Sequence, residues 1–190
     1  DLVKQTIKEK GDSLLGLVLG TKDINSFREI IKKSGHSLSE LSDGEGKNEQ
    51  NEQREWLLQF LPNELTRGIF SFVIEHKSEG LPLFTKDKST VSRLEQVVVK
   101  TNDINGFIKV YRDIFGIRLA LYKFVEAWKK RILFFRLNKT TIEVIEEKND
   151  EATPKDSLWG LARGVRDISK TRKSLVANNL EVSDISPGIK

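Results

Sequence analysis

The sequence predicts an α+β fold of tandem strand-helix-strand-strand-strand (βαβββ) units, with curved mixed sheets and helices on their convex faces. Three observations lead there. One passage occurs three times, at Leu14 to Phe27 (LLGLVLGTKDINSF), Leu94 to Phe107 (LEQVVVKTNDINGF) and Leu158 to Thr171 (LWGLARGVRDISKT). Such repetition marks an array of one supersecondary unit. Each copy runs from an apolar strand through a polar turn into Asp-Ile, where the carboxylate can accept the free N–H groups of a helix's first turn. Beyond it, apolar residues recur at helical spacing until a Gly or Asn ends the run.

The expected organisation is an N-terminal extension over 1–13, a first unit over 14–77, a linker over 78–93, a second unit over 94–147, a linker over 148–157 and an incomplete third unit over 158–190. In unit one a strand at Leu14 to Leu19 leads to a helix capped by Asp23, with Phe27, Ile30 and Ile31 on one face and a stop at Ser34-Gly35. The run Ser42 to Gln53 contains no apolar residue and is expected to be a mobile loop. Strands follow at Glu55 to Leu61 and Gly68 to His76, joined by a turn at Pro62-Asn63-Glu64.

Unit two has a strand at Leu94 to Val99, a cap at Asn102 or Asp103, a helix carrying Phe107, Val110, Tyr111 and Ile114, and a stop at Gly116. Its remaining strands are expected at Ile117 to Tyr122, Arg131 to Leu137 and Thr140 to Glu146. Unit three has a strand at Leu158 to Arg163, a cap at Asp167 and a strand at Leu180 to Ile185. The linkers carry Pro82 and Pro154.

Composition removes several classes of function. The 190 residues contain no Cys, so disulfides, thiolate metal sites and cysteine nucleophiles are excluded, and the cytoplasm is the default compartment. No apolar stretch approaches the roughly 20 residues that span a bilayer, so no membrane partner is expected. Asp1 to Lys10 lacks the apolar core of a secretory signal. Met is absent even at the first position, which leads to the expectation that both ends are cut. The net charge of +4 is concentrated at Lys129-Lys130-Arg131 and Lys170-Thr171-Arg172-Lys173, but acidic residues are interleaved elsewhere, so these read as solvated surface rather than a nucleic-acid site.

The passages Leu94-Glu95-Gln96-Val97-Val98-Val99, Tyr111 to Leu119 (YRDIFGIRL), Leu133 to Leu137 (LFFRL) and Thr141 to Val144 (TIEV) resemble the vicinal oxygen chelate superfamily, which includes glyoxalase I and the extradiol dioxygenases. Leu158-Trp159-Gly160-Leu161 with Val182-Ser183-Asp184 and Pro187-Gly188 resembles the closing unit of its glyoxalase-like branch. The resemblance implies a ligand site in the curved sheet and a divalent metal (Fe, Mn, Ni or Zn) held by a His or Gln of a unit's first strand and a Glu of its fourth. In this chain those positions are Gln96 and Glu143.

Strand geometry adds a separate expectation. A two-residue turn at Asn138-Lys139 puts Arg136 opposite Thr141 and Phe134 opposite Glu143, all four on one face. Leu94, Gln96 and Val98 alternate together on the first strand. Glu143 and Arg136 are the candidate catalytic residues, and Phe134, Thr141 and Tyr122 the candidate pocket residues, with Tyr122 sharing parity with Arg118. Gln96 and Glu143 can equally be metal ligands, polar substrate contacts or a structural pair beside Arg136.

The equivalent positions in the other units are Gly16 and Phe72 in unit one and Gly160 in unit three. Only one oxygen-bearing pair remains, fewer than the three or more protein ligands that a catalytic divalent metal takes. His76 is out of step with Glu143 and is expected to point away from the concave face. The resemblance implies a lyase, isomerase or dioxygenase-type enzyme acting on a small carbonyl, enol or aromatic compound. The alternative is a non-enzymatic small-molecule binder that has lost its metal. Whether units pair within one chain or across a homodimer stays open.

Overall fold

The computed structural model describes residues 2–49, 51–78, 91–147 and 153–188. Unit one contributes β1 (Gly16–Gly20), α2 (Ile24–Lys33), β2 (Ser42–Lys47), β3 (Gln53–Phe60), α3 (Asn63–Thr66) and β4 (Phe70–His76), after a first helix α1 (Leu2–Lys10). Unit two contributes β5 (Val91–Thr101), α4 (Ile104–Ile108), β6 (Arg118–Val125), β7 (Lys130–Leu137) and β8 (Thr140–Glu146); β9 (Asp156–Val165) and α5 (Ile168–Ala177) follow.

These strands form two mixed sheets, in the orders β1-β4-β3-β2 and β6-β7-β8-β5-β9. In both, the opening strand lies parallel to the closing one, β1 against β4 and β5 against β8. A parallel pair needs a long crossover, and the helix with two intervening strands supplies it. β9 pairs antiparallel with the outer edge of β5, so the opening strands of units two and three join edge to edge.

All three repeats fold alike at the helix start. Asp23 accepts from the Ser26 N–H at 2.9 Å, Asp103 from the Gly106 N–H at 3.0 Å and Asp167 from the Lys170 N–H at 2.9 Å. Each such cap contributes about 1 kcal/mol. Gly35 and Gly116 have φ of 88° and 69°, the left-handed conformation that ends a helix without steric cost. Beyond α4 the turn widens to a π-helix over Lys109–Ile114, closed by the Phe115 N–H on the Val110 carbonyl.

One core spans both sheets. Leu17, Ile31, Leu65 and Val73 of unit one cluster with Val97, Val99, Phe107, Tyr111, Leu133, Phe135, Ile142 and Val144 of unit two. Phe107 stacks on Tyr111 at 4.0 Å between ring centroids, and α2 meets the π-turn where Phe27 packs against Phe115. Arg67, left-handed at φ 55° after α3, ties the units together. Its guanidinium reaches Asp103 Oδ2, Asp156 Oδ1 and the Thr101 hydroxyl at 3.0, 3.0 and 3.1 Å. The Asp156 N–H returns a bond to the Arg67 carbonyl. A Cβ at Gly106 would overlap both Arg67 Nη1 and Asp103 Oδ2, so glycine is what lets the guanidinium in.

Several expectations are corrected. The polar run 42–53 is not a loop throughout: β2 forms there and pairs antiparallel with β3. Gly44 and Gly46 leave room for the Trp56 indole to lie across the strand, and that cover replaces the missing apolar side chains. Pro62-Asn63-Glu64 opens the short helix α3 rather than a tight turn. Residues 180–185 form no strand. β5 and β9 begin inside the expected linkers, at Val91 and Asp156. Residues 79–90 and 148–152 of those linkers, Pro82 among them, lie outside the described residues.

Candidate functional site

The five-stranded sheet has two distinct faces. Val97, Val99, Leu133, Phe135, Ile142 and Val144 point to the helices and the core. Val98, Ile132 and Thr141 belong to the other face, outside that cluster, yet are only 5%, 6% and 5% exposed. Burial of side chains on this second face fits a sheet that curves around it.

Pairing registers map the concave surface in three rows. The first is Arg118, Arg136, Thr141, Gln96 and Ala162; the second is Leu121, Phe134, Glu143, Val98 and Gly160; the third is Lys123, Ile132, Ile145, Lys100 and Ser157. Asn138, at φ 45°, makes the β7–β8 turn, and Arg136 is indeed opposite Thr141 and Phe134 opposite Glu143. Gln96 and Glu143 share the face one row apart. Phe134 and Thr141 border them.

Glu143 occupies the middle of the middle row. Its carboxylate has no hydrogen-bond or ion-pair partner among the described residues, and burial raises its pKa above the usual carboxylate value. Arg136 does not pair with it; the guanidinium donates instead to the Thr141 hydroxyl at 2.8 Å. The structural pair of Gln96 and Glu143 beside Arg136 is therefore not formed.

Three β-bulges redirect side chains that simple alternation misplaces. A register shift between Leu119 and Leu121 sets Tyr122 opposite Leu133, on the helix-facing side, where its hydroxyl accepts from Arg131 Nη1 at 3.3 Å. Tyr122 is thus on the opposite face from Glu143 and does not line this surface. A shift between Leu94 and Gln96 turns Leu94 away from Gln96, toward a cleft on the other side. The third shift leaves Trp159 as an extra residue between Leu158 and Gly160. Its ring, 63% exposed, lies 5.9 Å from the Lys100 ammonium, on the concave face. Simple alternation with Gly160 would put Trp159 on the opposite face; irregular strand pairing leaves no mark in the sequence.

In the four-stranded sheet, Gly16 is opposite Phe70 and Val18 opposite Phe72, so Phe72 holds the position of Glu143. A Cβ at Gly16 would overlap the Phe70 carbonyl, so no ligating side chain fits there. Phe60, Phe70 and Phe72 fill that face with centroids 5.5–6.1 Å apart. His76 pairs with Trp56 on the same face as Phe72, contrary to the expectation that it points away, but at the far end of the strand.

Gln96 and Glu143 could supply two metal donors. Gly160 and Ala162, facing them from β9, supply none, and no group of three His, Cys, Asp or Glu suited to a metal occurs among the described residues. The described donor set does not fit a catalytic divalent metal. A cleft of about 1010 Å³ lies elsewhere, along β1 and the helix-facing side of β5, β8 and β9. Its described lining is mostly apolar, its polar side chains being Asn138, Lys139 and Thr140 of the β7–β8 turn, with no acid or imidazole among them to act as a base.

Residues 93–187 match the sequence profile of the Glyoxalase/Bleomycin resistance protein/Dioxygenase superfamily. The chain belongs to that superfamily, the vicinal oxygen chelate group. A hypothetical protein from Staphylococcus aureus is similar in structure, with a TM-score of 0.56 and 17% identity over 82% of this chain and 60% of that one. This chain therefore spans 60% of the length of that relative. Methylmalonyl-CoA epimerase from Mycobacterium tuberculosis aligns over 48% of this chain and 67% of its own, with 18% identity and a TM-score of 0.41. The Streptomyces coelicolor methylmalonyl-CoA epimerase, in complex with 2-nitronate-propionyl-CoA, aligns over 52% of this chain and 79% of its own, at 14% identity and a TM-score of 0.44. At these identities the likeness concerns fold alone. No curated protein matches the chain in sequence. No described helix is long and apolar enough to cross a membrane.

Proposed function

We propose that the concave face of the five-stranded sheet binds a small carbonyl, enol or aromatic compound, and that Glu143 acts on it as a proton-transfer group, an isomerase- or lyase-type activity in the cytoplasm. One observation carries this reading: a partly buried carboxylate with no partner among the described residues stands at the centre of the concave surface. Burial without a countercharge destabilises the ionised form, so the group is a stronger base than an exposed carboxylate. Its task is to take a proton from carbon next to a carbonyl and return it. Gln96 offers an amide N–H toward the oxygen on which negative charge develops. Phe134 and Val98 exclude water around the reacting carbon.

The dioxygenase-type reaction and the metal-assisted form of the family need more donors than Gln96 and Glu143 provide, and no step is assigned to a metal. A second reading has its own support: Gly16, Phe72 and Gly160 stand where ligating side chains would be, which suits a protein that only sequesters its ligand.

Incubation with small 2-oxo and 1,2-dicarbonyl compounds in D₂O, followed by NMR, separates these readings. Carbon-bound hydrogen exchange that disappears in Glu143→Gln supports the enzyme. Saturable binding without exchange, unchanged by the substitution, supports the binder. If no compound binds, both are wrong.

A further inference from the structure

Arg118 and Arg136 are directly opposite one another in the β6–β7 pair, at the end of the first row of the concave surface. Directly opposed side chains in an antiparallel pair have Cβ atoms about 5 Å apart, and like charges there are destabilising. No acidic side chain relieves them: among the described residues Arg118 has no hydrogen bond or ion pair, and Arg136 bonds only the neutral Thr141 hydroxyl.

The contrast with other arginines of the same sheet is informative. Arg131, on the opposite face of β7, is matched to Glu146, and Arg93 to Glu95. Arg118 and Arg136 stand side by side toward the ligand face with no acid among the described residues to match them. A guanidinium presents a planar fork of donors that fits a carboxylate, and two such forks facing one small space define an anion site.

Resting on the reading of the concave face given above, we infer that the ligand is a carboxylate-bearing carbonyl compound. Arg118 and Arg136 hold its carboxylate at one end, and its reacting carbon lies over Glu143. The two rows are about 7 Å apart along the strand, two residues at roughly 3.3 Å each. That spacing keeps the carboxylate of the ligand away from the carboxylate of Glu143. It also suits a short chain with the anion separated from the carbonyl by one or two methylene groups. Residues of the first row thus choose the ligand, and residues of the second act on it.

Levulinate and its methyl ester are matched probes, since they share the ketone and differ in the negative charge. Titration of the full chain, followed by NMR, is expected to show levulinate binding about tenfold more tightly than the ester, the gain typical of one charge-assisted contact. Arg118→Gln and Arg136→Gln should each remove most of that preference, weakening levulinate far more than the uncharged ester. Because both side chains are exposed and each substitution removes a like-charge opposition, the variants should melt no lower than the wild type. Equal affinity for acid and ester overturns the inference, as does a preference that survives the double variant, or inorganic phosphate binding more tightly than levulinate. A Glu143-dependent exchange on both probes, with no preference between them, would leave the proposed function standing and remove only the anion site.

Discussion

Arg67 closes an ion pair with Asp156, 89 residues further along the chain, and the two side chains are 7% and 0% exposed. The Nε to Oδ2 approach of 3.0 Å is off the hydrogen-bond axis and therefore ionic, while Nη2 donates squarely to Oδ1. Unit one, the cap of α4 and the first residue of β9 are thereby held through a single side chain. Removing one member of a buried charge pair leaves its partner charged and dry, at a cost of about 3–5 kcal/mol. Arg67→Ala should lower the unfolding free energy by that amount in urea titrations. Arg67→Lys should recover little, because one ammonium cannot reach Asp103, Asp156 and Thr101 together.

Gly106 tests the same junction with a change of sign. In an ordinary helix Gly→Ala stabilises by about 0.8–1.0 kcal/mol. Here the added methyl group would displace the Arg67 guanidinium from Asp103. Gly106→Ala is expected to destabilise, and a higher melting temperature in the variant would refute the account of Arg67.

Gly44 is expected to be as intolerant, for a different reason. A Cβ there would overlap the Trp56 indole that covers β2, so Gly44→Ala should cost about 1–3 kcal/mol and expose the indole to a fluorescence quencher. Gly20, whose added Cβ would meet nothing within 4 Å, is the matched control, and Gly20→Ala should behave as wild type.

Glu143 makes stability depend on pH in a defined direction. Its folded-state pKa is raised by burial above the ordinary value of a free glutamate, so the folded state binds the proton more tightly than the unfolded state. The resulting stability is fully present below the unfolded value and is lost as pH rises through the folded one. Glu143→Gln should therefore be more stable than wild type at pH 7, with the difference closing as pH falls below about 4.5. Asp103 works in the opposite sense. Burial pushes its pKa up, but the Gly106 N–H and the Arg67 guanidinium outweigh it, so its contribution is lost as pH falls through the lowered folded value. Asp103→Asn in the Glu143→Gln background separates the two in acid unfolding curves.

Much of the fold was legible because short-range chemistry states it directly. Asp23, Asp103 and Asp167 are caps in the sequence and caps in the structure. The two-residue turn at Asn138-Lys139 was enough to set Phe134 opposite Glu143. Side-chain direction was lost wherever a strand carries an extra residue, since one bulge reverses everything beyond it; Tyr122 and Leu94 were misplaced for that reason. β2 was illegible because its stability resides in Trp56, a residue of the neighbouring strand. The junction at Arg67 joins residues that no local pattern relates, and the opposed Arg118 and Arg136 become visible only once β6 and β7 are in register.

β5 is flanked by β8 on one side and β9 on the other, and both follow it in the chain. During synthesis it must wait with two bare edges until Thr140–Glu146 and then Asp156–Val165 leave the ribosome. The nascent protein is thus open to mispairing at a strand that carries Val97, Val98 and Val99 in succession, and a chaperone that shields extended segments would find its binding window there.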